Sequence, residues 1–235
     1  MAESAPIVGL TPNWIRNPPP SDSWYGAWRY FINASYAEMV ARAGAVPVAV
    51  VPSTGEAPGS VLDRLDLIIL TGGGDPDPSL YNRPLAGARA PERDRPVWEM
   101  GVYREAVARG IPILGICLGM QLIAIEHGSA LIQDIPVTTI EHEGTVERPL
   151  SHDVSISPGS RLQSILGPAA RVASFHHQAV ERPPSGFRAA ASAEDGILEA
   201  MESESGQVIC LQWHPERDST GIPILRALLG GRRGG

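Results

Sequence analysis

The chain has 235 residues, of which 43% are hydrophobic and 19% are charged, and these values predict one globular domain over residues 1–230. A formal net charge of −7 disfavours nucleic-acid and anionic membrane partners. Two cysteines cannot form a disulfide framework, no apolar run reaches the roughly 20 residues of a membrane span, and no secretory signal is visible, so we expect a cytoplasmic protein.

Short, continuously apolar segments alternate with longer helical segments along the chain. The segments typical of strands buried on both faces of a parallel sheet are 7–10, 46–50, 67–70, 112–116 and 208–212. The helical segments are 31–43, 97–108, 119–127, 160–166 and 221–229. This alternation predicts an α/β fold with a central, mostly parallel sheet.

Other parts of the chain fit this alternation less well. Residues 137–200 hold shorter extended pieces and predict additional strands or hairpins attached to the sheet. Residues 11–27 and 71–96 are expected to be long loops, of the length that usually serves binding or closure. Trp24 lies in the first loop, as part of a substrate lid or of a hydrophobic cover, and residues 231–235 are expected to be a disordered tail.

The most informative motif surrounds Cys117. An apolar strand runs into Gly115-Ile116-Cys117-Leu118-Gly119 and then directly into a helix, which is the cysteine form of the nucleophile elbow. Such a turn projects the sulfur from the carboxyl edge of the sheet and points a helix N-terminus at it, which favours the thiolate. A cysteine among apolar residues is usually core packing, and Cys210, which has no such turn, is read that way.

A cysteine nucleophile needs a base and a group that orients the base. His214-Pro215-Glu216 follows the last core strand, and alternate residues of an extended chain point to the same side. The carboxylate of Glu216 is therefore expected to hold the imidazole of His214 so that its other nitrogen faces Cys117.

An acyl-transfer site also needs donors for an oxyanion. The N–H of Leu118 at the start of the helix is one candidate, and the run Gly72-Gly73-Gly74 after a core strand supplies Gly72 and Gly73 as others. Because no Gly-Lys-[Ser/Thr] follows this run, a nucleotide phosphate loop is a poor alternative.

The three motifs resemble the class I glutamine amidotransferase superfamily, in order and over nearly the whole chain. The resemblance implies a flavodoxin-like, three-layer α/β/α sandwich with a Cys-His-Glu triad on Cys117, His214 and Glu216. It implies no cofactor and no metal, and a homodimer as a possible assembly.

Within the superfamily, the segments 74–81, 93–99, 174–180 and 195–200 look most like those of the peptidase C26, γ-glutamyl-γ-aminobutyrate hydrolase type. This resemblance implies cleavage of a γ-glutamyl amide through a γ-glutamyl thioester, in polyamine or γ-aminobutyrate metabolism. By motif position, it places the substrate against Gly74, Gln121, His176, His177 and Gln178.

Alternatives to a free-standing hydrolase remain open. Leu118 occupies a position where some γ-glutamyl-γ-aminobutyrate hydrolases carry arginine, which favours a glutaminase subunit that supplies ammonia to a separate synthetase. A binding module without turnover is a further hypothesis. Metal binding by His176 and His177 is disfavoured because adjacent residues of a strand face opposite ways, and Glu141-His142-Glu143 is expected to be a solvated turn or strand edge.

Overall fold

A computed structural model describes residues 4–16, 28–52, 59–137 and 139–231. Its strands are β1 Ile7–Leu10, β2 Asn13–Arg16, β3 Trp28–Phe31, β4 Val46–Ala49, β5 Leu67–Leu70, β6 Ile113–Ile116, β7 Leu131–Ile132, β8 Leu150–Ile156, β9 Ala169–Ser174, β10 Ala179–Val180, β11 Phe187–Ala193, β12 Leu198–Ser203 and β13 Val208–Leu211. Its helices are α1 Ala34–Ala43, α2 Gly59–Leu62, α3 Asp94–Ala108, α4 Leu118–Glu126, α5 Arg161–Leu166 and α6 Gly221–Gly230.

Nine of these strands form one sheet in the order β4-β1-β5-β6-β13-β12-β11-β8-β9. The pairs from β4 to β13 are all parallel, and every pair from β13 to β9 is antiparallel. The predicted mostly parallel core and the attached hairpin strands are therefore joined along one continuous ladder, at β13. Two smaller two-stranded sheets, β2–β3 and β7–β10, accompany it.

The helices cover both faces of the sheet and make a three-layer sandwich. Trp98 of α3 and Ile123 of α4 belong to one buried cluster, whereas Val40 of α1 and Leu225 of α6 belong to the other. Strands β5 and β6 are buried along their whole length between these clusters, as their unbroken apolar sequences predict. The flavodoxin-like fold class is confirmed.

The expected first loop is partly wrong. Residues 13–16 pair antiparallel with residues 28–31, so one strand of a β-hairpin lies inside the expected loop 11–27 and the other follows that loop and takes the first residue of the predicted helix 31–43. Trp14 of this hairpin packs against Trp98, with ring centroids 5.8 Å apart, which gives the hairpin an apolar attachment to the domain. Helix α1 consequently begins at Ala34.

Other expectations differ from the structure only at element ends or lie outside the described residues. The segment 71–96 contains a 3₁₀ turn, Pro78–Tyr81, and α3 begins at Asp94, because the first turn of a helix tolerates Pro96. Trp24 and residues 232–235 lie outside the described residues. Within the described ranges, no helix combines the length and the apolarity that a bilayer crossing requires.

Candidate active site

Cys117 occupies the turn between β6 and α4 in a strained conformation. Its φ of 50° and ψ of −103° lie where L-residues are rarely found, and its backbone N–H is fixed to the carbonyl of Leu211 at 2.7 Å. The flanking glycines permit the turn, because a Cβ on Gly119 would overlap the carbonyl of Leu70 and one on Gly115 would lie 2.9 Å from Ile123. The cysteine is 6% exposed, so its sulfur is sheltered without being sealed.

His214 and Glu216 form a close pair immediately after β13. The imidazole Nδ1 lies 2.7 Å from Oε1 of Glu216, and the His214 N–H is fixed to the carbonyl of Ala173 at 2.9 Å. The expected extended geometry is wrong here, because Pro215 opens a 3₁₀ turn over Pro215–Arg217. The turn rather than strand alternation brings the carboxylate back to the ring.

The electrostatic surroundings of His214 favour the imidazolium. Burial alone would lower the pKa of His214. The Glu216 carboxylate and a hydrogen bond with Cys117 outweigh burial, and together they raise the pKa of His214 to about 10. The glycine run lies against the same two groups, since a Cβ on Gly72 would be 2.9 Å from the ring of His214 and 3.5 Å from Cβ of Cys117. The carboxyl ends of β5, β6 and β13 therefore bring all three sequence motifs together.

The candidate oxyanion donors are not equivalent. Gly72 donates its N–H to the hydroxyl of Tyr36 at 3.0 Å, so this group is already engaged. The described contacts give no hydrogen-bond acceptor for the N–H of Gly73 or of Leu118, and the two residues adjoin, since a Cβ on Gly73 would be 2.8 Å from Leu118 Cδ2. Leu118 is the first residue of α4, where N–H groups have no helical partner.

A buried arginine holds the glycine run in place. Nη2 of Arg95 donates to the carbonyls of Thr71 and Gly72 at 3.1 and 3.0 Å, and Nη1 contacts Oδ1 of Asn13. The Arg95 side chain is 1% exposed and is paired with Glu99, which is 0% exposed, at 3.2 Å. Burial raises the pKa of Glu99, while Arg95 opposes that shift.

Gln121 and Gln212 form a short chain of side chains behind the sulfur. Gln121 donates from Nε2 to Oε1 of Gln212 at 3.4 Å, and Gln212 Nε2 lies 3.6 Å from Sγ of Cys117. Both glutamines are buried. Gln121 thus reaches Cys117 through Gln212.

The remaining candidate substrate residues lie in different surroundings. His177 bridges Asp75 and Asp134, with Nε2 3.0 Å from Asp75 and Nδ1 3.0 Å from Asp134. Gln178 donates to the carbonyl of Gln133, and its Oε1 has no hydrogen-bond partner among the described residues. A Cβ on Gly74 would lie 3.3 Å from the carboxylate of Glu92, a tight contact that Glu92 would have to relieve by a small shift.

His176 turns away from this group, as the alternation argument predicts. It enters a buried cluster with His142, His152 and Glu199. The expectation that residues 141–143 form a solvated turn is therefore wrong for His142, which is 4% exposed. A histidine with a glutamate directly on each side carries no burial signal in the sequence.

Sequence reasoning assigned no role to Tyr36, Arg95 or Gln212, although all three contact site residues. Arg95 lies inside the segment 93–99 that the family resemblance marks, and Gln212 ends the predicted strand 208–212 beside His214, so their positions were the available signal. Tyr36 lies in the first turns of α1, and nothing in the local sequence distinguishes it from a core tyrosine.

Comparisons with known proteins identify the family to which the chain belongs. The family model described as peptidase C26 matches residues 6–216. A Mycobacterium tuberculosis protein, provisionally named a glutamine amidotransferase, is 32% identical, with coverage of 100% of this chain and 77% of its own length. The γ-glutamyl-γ-aminobutyrate hydrolase PuuD of Escherichia coli is 28% identical, with coverage of 85% of this chain and 84% of its own.

A solved structure supports the fold separately. The crystal structure of a glutamine amidotransferase from Thermotoga maritima superimposes with a TM-score of 0.62, at 15% identity, over 99% of this chain and 87% of that one. At that identity the likeness bears on the fold alone. With the family match over most of the chain, these findings mean that the protein belongs to the peptidase C26 family of class I glutamine amidotransferase-like amide hydrolases.

Proposed function

We propose that the protein is a single-domain cysteine hydrolase that cleaves a γ-glutamyl amide into glutamate and an amine. The observation that carries this proposal is the strained Cys117 beside His214, whose ring is held by Glu216 at 2.7 Å. Nucleophile, base and orienting carboxylate are the three groups that covalent acyl transfer requires.

In the proposed reaction, Sγ of Cys117 attacks the γ-carbonyl carbon and forms a tetrahedral intermediate. The N–H groups of Leu118 and Gly73 stabilise its oxyanion, because the N–H of Gly72 is engaged by Tyr36. His214 then donates a proton to the leaving nitrogen as the C–N bond breaks, and a γ-glutamyl thioester remains on Cys117.

Hydrolysis of the thioester completes the cycle. His214, now neutral, takes a proton from water as the water oxygen attacks the thioester carbonyl. The C–S bond breaks, glutamate leaves, and the Cys117–His214 pair returns to its starting state. No step needs a redox or group-transfer cofactor.

The residues around Cys117 divide into those that position the sulfur and those that could contact the substrate. Gln212 and Gln121 hold the sulfur from behind, whereas Gly74, His177 and Gln178 remain candidate contacts for the γ-glutamyl head. Oε1 of Gln178 is a buried acceptor with no partner in the described part of the chain, a suitable group for an ammonium or amide donor of the substrate. The relative PuuD is named for a γ-glutamyl-γ-aminobutyrate substrate, which favours a γ-glutamyl amine here.

The test is glutamate release by the purified protein with glutamine, γ-glutamyl-γ-aminobutyrate and other γ-glutamyl amines. We expect turnover of one γ-glutamyl amine well above glutamine, together with a γ-glutamyl adduct on Cys117 after acid quenching, detected by peptide mass spectrometry. Silence towards every amide, with no adduct, would contradict the proposal. Weak turnover of glutamine alone would favour the partner-dependent glutaminase, for which Leu118 is the motivating residue.

A further inference from the structure

Three histidines and a glutamate converge inside the antiparallel half of the sheet. Their ligand-capable atoms, one each from His142, His152, His176 and Glu199, all lie within 4.8 Å of one another. All four residues are buried, with at most 8% of the residue exposed. Four such groups rarely share a dry interior unless something neutralises or bridges them.

The inner atoms of this cluster have no well-directed hydrogen bonds. His142 Nδ1, His152 Nε2 and His176 Nε2 lie 3.1, 3.4 and 3.4 Å from Oε1 of Glu199. Nevertheless, none of these nitrogens and neither Glu199 oxygen meets the geometry of a hydrogen bond with another described residue. A buried polar atom left unpaired costs about 1–3 kcal/mol, so this many together point to a missing ligand.

The outer nitrogens of the same rings are each held by an acceptor. His142 Nε2 lies 2.9 Å from Asp195, His176 Nδ1 lies 3.0 Å from the carbonyl of Gln178, and His152 Nδ1 lies 3.4 Å from the carbonyl of Asp153. Backbone carbonyls and an ionised carboxylate accept hydrogen bonds, so each ring in its neutral form carries its proton on the outer nitrogen and presents the lone pair of the inner one. This is the outer-shell arrangement that orients histidines towards a metal ion.

We propose that His142, His152, His176 and Glu199 bind one divalent transition-metal ion, with zinc the best match. Three imidazoles and one carboxylate are a tetrahedral donor set for zinc, and bonds of about 2.0–2.1 Å would separate the donors by roughly 3.3–3.4 Å. The nitrogen-to-oxygen distances of 3.1–3.4 Å match this spacing.

Glu202, on the same strand as Glu199, shows what a satisfied buried carboxylate looks like in this protein. Both residues are 0% exposed. Glu202 accepts hydrogen bonds from the N–H groups of Arg161 and Leu162, at 2.8 and 3.1 Å, and from Nε of Arg188 at 2.8 Å. Within the described ranges, the charged or ionisable neighbours given for the Glu199 carboxylate are the three histidines, which distinguishes an ion site from an ordinary structural acid.

With four protein ligands the ion has no open position for a reactant, so its role is structural. It links β8, β12, the end of β9 and the segment before β8, which carries His142. A surface cavity of about 380 Å³ is lined in part by His142 and His176 and gives a route for the ion.

The site adjoins the candidate active site through two contacts. Phe175, next to His176, packs edge-on against His214 with ring centroids 5.6 Å apart. The carbonyl of Glu199 accepts the N–H of Gln212, whose side chain reaches Cys117. Metal binding is thus expected to stabilise the fold first and catalytic geometry second, and the proposal does not depend on the proposed reaction.

The experiment uses the full chain without a polyhistidine tag and in the Cys117→Ala background, which removes a competing thiol ligand. Protein stripped with a chelator is titrated with Zn²⁺ by calorimetry and with Co²⁺ by visible absorption, and its melting temperature is followed. We expect one equivalent of zinc, an intense tetrahedral Co²⁺ band, and a rise in Tm of roughly 10 °C at zinc concentrations about 1000-fold above Kd.

Matched variants assign the ligands. His152→Ala, His176→Ala and Glu199→Gln are expected to lose at least 90% of the bound zinc and the zinc-dependent part of the Tm. Glu202→Gln, on the same strand, and His127→Gln, at a histidine paired with Tyr103, should each retain one equivalent. Comparing zinc-free with zinc-supplemented Tm separates lost metal from simple destabilisation.

Two results would overturn the proposal. One is a folded wild-type protein that takes up neither zinc nor cobalt and melts at the same temperature with and without them, which would leave a proton shared between Glu199 and a histidine. The other is full zinc occupancy in folded His152→Ala and Glu199→Gln variants, which would locate the ion elsewhere.

Discussion

The two halves of the large sheet gather polar side chains in different ways. In the parallel half, all carboxyl ends point to one edge, and the residues that follow β5, β6 and β13 meet there as Gly72, Cys117 and His214. In the antiparallel half, strand directions alternate, and the histidine cluster takes His152 from within β8 and Glu199 from within β12. The parallel strands thus place their polar and reactive residues in loops at one edge of the sheet. The antiparallel strands place theirs within the strands, in the interior of the domain.

This difference separates the expected phenotypes of the two halves. Changes at the edge of the parallel half should reduce turnover while leaving the fold intact. Changes in the buried cluster should act on stability first. The following substitutions are chosen to break that separation, beginning with the largest effect.

Cys117→Ala should lower kcat/KM by at least about 10⁴-fold, because no other group in the site can form the thioester. Its Tm should not fall, since the change removes only a small side chain from a strained turn. The matched control is Cys210→Ala, in the core of β13, which should retain turnover and lose stability. Glutamate release and thermal melts on both variants test these two expectations. Substantial turnover by Cys117→Ala would assign the nucleophile to another residue.

Glu216→Gln should reduce kcat by about 10³-fold by releasing the ring of His214. It also removes the main group that raises the His214 pKa, so the alkaline limb of the kcat/KM profile, near pH 10 in the wild type, should move to lower pH. The His214–Glu216 pair also stabilises the fold, and this stabilisation depends on pH. A raised histidine pKa stabilises fully below about pH 6.5, and this contribution is lost as pH rises to about 10.

The pH dependence can be checked by unfolding wild type and Glu216→Gln side by side. Their difference in unfolding free energy should be largest near pH 6 and should shrink towards pH 10. A constant difference across this range would mean that Glu216 supports the fold without charging His214.

Arg95→Met should loosen the glycine run and cost about 3–5 kcal/mol, because it removes the ion-pair partner of the buried Glu99. The double variant Arg95→Met/Glu99→Leu should recover part of this stability, since both charges are then absent. Urea unfolding of Arg95→Met, Glu99→Leu and the double variant gives the coupling free energy between the two residues. Equal losses in Arg95→Met and in the double variant would show that the arginine acts only through the loop carbonyls.

Tyr36→Phe should have the smallest effect. It removes the acceptor of the Gly72 N–H and costs about 1 kcal/mol of stability, with less than a tenfold change in kcat. If Gly72 rather than Gly73 holds the oxyanion, freeing its N–H would instead raise kcat. Steady-state kinetics therefore tells the two candidate donors apart.

The edge site was largely predictable from sequence because each of its parts is a contiguous motif at the end of an apolar strand. The elbow glycines, the glycine run and His214-Pro215-Glu216 each carry a local backbone signature, and the parallel topology brings them together. The arrangement around Glu216 was predicted for the wrong reason, since a 3₁₀ turn replaces the extended segment.

The histidine cluster was beyond local reasoning because its members are single residues spread from position 142 to position 199. Their meeting depends on the order β12-β11-β8-β9, which no spacing in the sequence encodes. The β2–β3 hairpin was missed for a related reason. A proline-rich segment separates its strands, and the pairing is supported by packing of Trp14 on Trp98 rather than by a short turn.

Phe175 lies between the candidate active site and the histidine cluster. Its ring packs on His214, and its chain neighbour His176 belongs to the cluster. Thermodynamic reciprocity then applies: if an ion in the cluster changes the affinity for a substrate at Cys117 by some factor, the substrate changes the affinity for the ion by the same factor. If bound zinc raises the affinity for substrate, a cell that limits zinc would lower both substrate affinity and the stability of the fold, and abundant substrate would help the protein retain its metal.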